Sequence, residues 1–166
     1  LPTSPADGQE CILVDSITSP TYLWRLRYNV GSASSYKWEY IGGTPKRVEI
    51  ATLETSTTVA SWIDLTTAGP SFTLPNAGDW ALMWGANVQH NASPGEVAIG
   101  VSVAGGTPTI YTDVPISVFV QYTTMMTYNF TGRSASDVMK VQYYSGYAGT
   151  WGASLRYLSV IPIRIS

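Results

Sequence analysis

Apolar and polar residues alternate along most of this chain with a period of two, the spacing at which successive side chains point to opposite faces of a β-strand. The clearest run is Asp79 to Gln89, where Trp80, Leu82, Trp84, Ala86 and Val88 fall on one face and Ala81, Met83, Gly85 and Asn87 on the other. The same alternation predicts strands over residues 10–14, 22–28, 35–41, 47–52, 57–65, 71–74, 96–103, 109–111, 116–130, 137–144 and 153–165. No window carries the 3.6-residue period of an amphipathic helix. Turn-type clusters punctuate the runs, among them Ala68-Gly69-Pro70, Pro75 to Asp79, Asn91 to Gly95, Ala104-Gly105-Gly106 and Ser145-Gly146. Short strands at even intervals predict an all-β sandwich or barrel.

A Gly42-Gly43-Thr44-Pro45 hinge divides this series. Before it, residues 1–43 are predicted to form a small three-stranded sheet lobe that serves as an anchoring or docking segment. In that lobe Trp24, Leu26 and Tyr28 oppose Arg25 and Arg27, and Trp38 opposes Lys37 and Glu39. One aromatic face results, too small to be stable without packing against something more. After the hinge, residues 44–166 hold about eight strands, the number of a jelly-roll-like β-sandwich. In the last strand Leu155, Tyr157, Ile161, Ile163 and Ile165 lie on one face and Leu158, Val160 and Pro162 on the other. A terminal strand with two apolar faces needs a cover, and a neighbouring copy supplies one. The predicted oligomer interface is therefore Leu155, Tyr157, Leu158, Ile161 and Ile163.

Composition narrows the class of protein. Charged residues are only 12% of the chain, so the surface is polar but largely uncharged; six Trp and eleven Tyr supply the apolar area that a folded core needs to offset chain entropy. A net charge of -2 and nine scattered Lys and Arg argue against a nucleic-acid partner and against a polybasic membrane patch. No apolar run reaches transmembrane length, so membrane insertion is not expected, and no stretch reads as a signal segment. Leu1 stands where an initiator Met would, which points to a processed or excised chain. The single cysteine, Cys11, sits among Ile12, Leu13 and Val14 and is read as a buried hydrophobe.

Catalytic chemistry finds little to work with. His90 is the only histidine, without a second His or a Cys pair for a metal site or a triad, so neither a metal nor a cofactor is expected. Among the eleven carboxylates Asp64 and Asp79 stand nearest to burial, yet both occupy strand ends where turn or cap duty explains them. Gly42-Gly43, Gly105-Gly106 and Gly146 to Gly149 precede no helix and read as hairpin turns, not phosphate loops. The sequons Asn91-Ala92-Ser93 and Asn129-Phe130-Thr131 read as chance occurrences. The segment Tyr143 to Gly152 differs in kind, because Tyr and Trp interleaved with Ser and Gly make an adaptable binding loop whose flat rings stack on sugars. The predicted ligand-binding residues are Tyr143, Tyr144, Tyr147 and Trp151, with His90 and Asn91 lining the same end. The competing role for Tyr143, Tyr147 and Trp151 is to plug the sandwich.

Two resemblances add to this reading. The segments Pro5-x-Asp7-Gly8-Gln9, Trp24-x-x-Arg27-Tyr28-Asn29 and Tyr36-Lys37-Trp38-Glu39-Tyr40-Ile41-Gly42-Gly43 resemble the N-terminal part of tail and fibre proteins of tailed bacteriophages, where they precede an all-β distal module. Ser71 to Val88, followed by Glu96 to Gly106 and closed by Leu155 to Ile165, resembles the tumour-necrosis-factor-like jelly roll, in which a long final strand lies near a threefold axis. The resemblances imply a non-enzymatic homotrimer on the virion surface, assembled in the bacterial host cytoplasm among other virion proteins. The implied role is a tail-fibre or tail-tip module that binds a host cell-surface glycan; the alternative is a capsid decoration or head-fibre protein.

Overall fold

The computed structural model describes residues 1–91, 95–116 and 121–166. Among the described residues twelve strands follow in order: β1 (Glu10–Val14), β2 (Leu23–Tyr28), β3 (Trp38–Thr44), β4 (Lys46–Ile50), β5 (Glu54–Ser56), β6 (Ser71–Thr73), β7 (Gly78–His90), β8 (Gly95–Val103), β9 (Tyr111–Ile116), β10 (Tyr122–Arg133), β11 (Val138–Tyr144) and β12 (Trp151–Ile165). All pairings are antiparallel. No helix among the described residues is long and apolar enough to cross a membrane.

The strands form two sheets, one ordered β1-β2-β3-β12-β7-β10 with β4 and β5 also on β12, the other β6-β11-β8-β9. From β5 onward the chain passes back and forth between them, and this winding is that of a jelly-roll-like β-sandwich. The predicted core face of β7 is the observed one: Trp80, Leu82, Trp84, Ala86 and Val88 are buried and meet Val97, Ile99 and Val101 of β8, with Met139, Val141 and Tyr143 of β11.

One edge of the fifteen-residue β12 carries three short strands in turn: β5 at Trp151–Ala153, β4 at Arg156–Val160 and β3 at Arg164 and Ile165. Through that last pairing the three-stranded unit of residues 1–43 continues the large sheet, and its aromatic face joins the common core. Trp24 stacks on Tyr22 at 3.9 Å and meets Trp80 edge-on at 5.4 Å. The hinge at Gly42 to Pro45 is the end of β3, from which the chain runs directly into β4. Gly43 has a φ of +123°, and a Cβ there would collide with the Leu23 carbonyl, so the β2–β3 pairing needs glycine at this point.

Two predicted strands come out differently. Residues 57–65 form a loop whose backbone bridges to the small sheet at Ile63 and Tyr143, and which contains Ala60 at a φ of 58°. The predicted run 116–130 is divided between the end of β9 and the start of β10; residues 117–120 lie outside the described residues, as does Ser93 of the first sequon.

Candidate functional site

The ten-residue segment Tyr143 to Gly152 is split by the pleat of β11 and the start of β12. Tyr143 and Trp151 are fully buried, with the Tyr143 hydroxyl donating to the Gly69 carbonyl at 3.1 Å and the Trp151 indole N–H to the Thr58 carbonyl at 2.8 Å. Burial pushes the Tyr143 phenol far up, with the Arg156 charge and its hydrogen bond acting in the opposite sense. The ligand role predicted for these two is thereby corrected: both rings face inward, and they plug the core. His90 is also buried, its Nε2 3.3 Å from the Tyr147 carbonyl. Asn91 accepts from the Thr150 N–H at 2.7 Å through Oδ1 and donates its own N–H to the Thr150 carbonyl at 2.9 Å. These contacts tie the loop after β7 to the loop before β12, and beside them Gln89, His90, Asn91 and Thr150 line a separate hollow of about 320 Å³. Tyr147, 41% exposed, remains at the apex.

Tyr144 takes the opposite direction. One residue after the inward Tyr143, it points out of the small sheet, level with Ala98 of β8, which in turn faces Asp113 of β9. Glu96 and Tyr111 lie two residues from Ala98 and Asp113 on the same face. Because β8 contributes only Ala98 between Tyr144 of β11 and Asp113 of β9, the sheet surface dips there. Trp62 closes one end. Reciprocal backbone bonds between Ile63 and Tyr143, of 2.9 and 3.1 Å, clamp the 57–65 loop to β11 and set Trp62 beside Tyr144. The Trp62 ring lies 5.6 Å from Tyr144 and 5.3 Å from Tyr111.

The result is an open groove of about 340 Å³ lined by Trp62, Glu96, Ala98, Tyr111, Asp113 and Tyr144. That volume lies within the range of small-molecule sites, about 300 to 1,000 Å³. Partial burial and, after it, the neighbouring Asp113 carboxyl hold the Glu96 carboxyl above the usual carboxylate range. The other charged side chain on the outer face of β11, Lys140, is engaged with Asp64 at 2.7 Å and does not neutralise the pair. Aromatic faces beside two acceptors suit a ligand with an apolar ring face and hydrogen-bond donors. Among the described residues no group of three or more His, Cys, Asp or Glu is placed to hold a metal ion. Asp79, the second carboxylate singled out in the sequence, accepts from the Gly132 N–H at 2.8 Å and pairs with Arg164 at 3.1 Å.

The predicted interface residues also divide. Leu158 is fully buried in the core of its own sandwich, which corrects its assignment to an outer surface; the register shift between Ser154 and Tyr157 changes which residues of β12 face inward. Leu155, 47% exposed, sits in that bulge. Tyr157, Ile161 and Ile163 lie half-buried on the outer face of the large sheet, where Met83 and the 61% exposed Met125 extend the apolar surface.

No protein-family model matches the chain, and no curated protein matches it. Among solved structures, the VP2 subviral particle of infectious bursal disease virus is similar over 96% of this chain and 40% of that one, with a TM-score of 0.51 and 13% identity. A C-terminal family 6 carbohydrate-binding module of a laminarinase from Zobellia galactanivorans matches 69% of this chain and 98% of its own, with a TM-score of 0.35 and 16% identity. The module TmCBM61, solved with β-1,4-galactotriose, matches 94% of this chain and 90% of its own, with a TM-score of 0.35 and 12% identity. The chain spans about two fifths of the length of the VP2 structure. What the VP2 likeness establishes is the fold alone, a jelly-roll-like β-sandwich.

Proposed function

We propose that this protein is a non-enzymatic surface protein of a tailed-bacteriophage virion, a tail-fibre or tail-tip module that attaches the particle to its host through the groove on the small sheet. The observation that carries the reading is the Trp62–Tyr144–Tyr111 cluster, three aromatic side chains gathered at the surface around Ala98. The N-terminal resemblance to tail proteins supports the setting. The outer face of the large sheet, with Tyr157, Ile161, Ile163 and Met125, is the surface through which three copies associate, and a trimer multiplies weak single-site contacts into avidity.

Binding of the full chain to host cell envelopes, compared with that of Trp62→Ala, tests this reading. Envelope binding that is lost in the variant supports it. Equal binding by both proteins removes the groove from attachment, and docking to capsids with no affinity for envelopes would assign the chain to head decoration or a head fibre instead.

A further inference from the structure

Two carboxyl groups, those of Glu96 and Asp113, stand on the lining of the aromatic groove. Glu96 and Asp113 come from neighbouring strands, line the same groove and, among the described residues, have no cationic side chain in ion-pair contact. Neighbouring like charges disfavour joint ionisation, and a cation placed between them relieves the repulsion. The rings beside them act in the same direction. Trp62, Tyr111 and Tyr144 present faces of negative quadrupole, which attract both an ammonium group and the weakly positive C–H bonds of a sugar ring. An anionic saccharide would meet repulsion from both features.

Resting on the reading of the groove as the attachment site, we propose that its ligand is an amino sugar with a free, protonated amine. The ring stacks on Trp62 and Tyr144, and the ammonium lies against Glu96 and Asp113. The groove is open along the sheet, so the sugar can be one unit of a longer glycan. The same features make the site select by charge.

The test is calorimetric titration of the full protein with three probes at a pH where sugar amines are protonated: a glucosamine oligomer, the N-acetylated oligomer of the same length, and choline. The glucosamine oligomer is expected to bind about tenfold or more tightly than its acetylated counterpart, the discrimination that a single added charge pair near a protein surface readily supplies. The near-isosteric variants E96Q and D113N should each reduce that preference, and added salt should weaken the wild-type binding. Equal affinity for the two oligomers overturns the proposal, as does a preference that survives in E96Q/D113N, or binding of choline without the glucosamine oligomer. These failures are distinct from failure of the attachment reading: envelope binding that depends on Trp62 but shows no charge preference would leave attachment standing and remove the amino sugar.

Discussion

The guanidinium of Arg156, fully buried in the sandwich, lies 3.2 Å from the carboxylate of Glu54 across the β12–β5 edge. A second contact runs from its Nη1 to the Thr67 carbonyl at 3.2 Å, and the charge stands 5.7 Å from the centre of the Tyr143 ring. Its Nε has no hydrogen-bond partner, and the Nη2 contact to Glu54 has ion-pair distance without hydrogen-bond geometry. Burial works against the Glu54 carboxylate, but hydrogen bonding from Thr67 and the Arg156 charge outweigh it and keep its pKa below the usual range. Removing one partner of such a pair leaves the other charge uncompensated. Arg156→Ala is therefore expected to destabilise the protein by about 3 to 5 kcal/mol in urea denaturation. The double variant E54L/R156M, which leaves no charge behind, should recover most of that loss; an equally unstable double variant would show that the arginine acts through packing alone.

The N-terminal unit shares its aromatic face with the rest of the molecule. Trp24 contacts Tyr22, Phe72 and Trp80, residues drawn from both sheets. Trp24→Ala opens a cavity within this common core and should cost about 3 to 5 kcal/mol. Thermal unfolding should remain a single transition at lower temperature. Two resolved transitions, with only residues 1–43 melting early, would mean that the unit folds on its own.

Protonation of Glu96 gives a sign that can be checked. Its folded pKa is raised, so the folded state holds a proton that the unfolded chain releases at lower pH. The associated stability is fully present below the unfolded pKa and is lost as pH rises through the folded one. The stability of E96Q relative to wild type should therefore increase from acidic to neutral pH, measured as the difference between their denaturation midpoints. In D113N, an NMR titration should place Glu96 closer to an ordinary glutamate. An unchanged titration would mean that burial alone holds the pKa up.

On the outer face of the large sheet, Ile161 stands opposite Ala81, with Ser159 opposite Met83 and Tyr157 opposite Gly85 in the rows beyond. Ile161→Asp places a charge in the middle of the surface assigned to the trimer without touching the core. Light scattering should give a trimer mass for the wild type and a monomer mass for the variant, with unchanged circular dichroism. A concentration-independent monomer in the wild type would end the trimer proposal.

Much of the fold is legible in local pattern. A period of two marks β7 and its core face, because burial on one side of a strand selects alternate residues regardless of which strand lies next to it. Turn residues such as Ala104-Gly105 show where the chain reverses, since positive φ is a local demand; Ala104 and Gly105 adopt 50° and 80°. Alternation also implied that Tyr143 and Tyr144 face opposite ways, although loop-like composition drew both into one predicted binding segment.

What sequence pattern does not carry is register between strands far apart in the chain. Trp62, Glu96, Tyr111, Asp113 and Tyr144 become one groove only because β11 pairs with β8, β8 with β9, and a loop 80 residues upstream of Tyr143 in Ile63's bridge lays Trp62 against them. Nothing in the local alternation around Tyr111 or Glu96 sets those distances. The same holds for Leu158, which one bulge in β12 turns into the core, and for Arg156, whose charge is tolerated in the interior because Glu54 arrives beside it from another strand. Local sequence determined which residues form strands and which face of each is apolar; long-range pairing, through backbone hydrogen bonds between distant segments, decided which side chains meet.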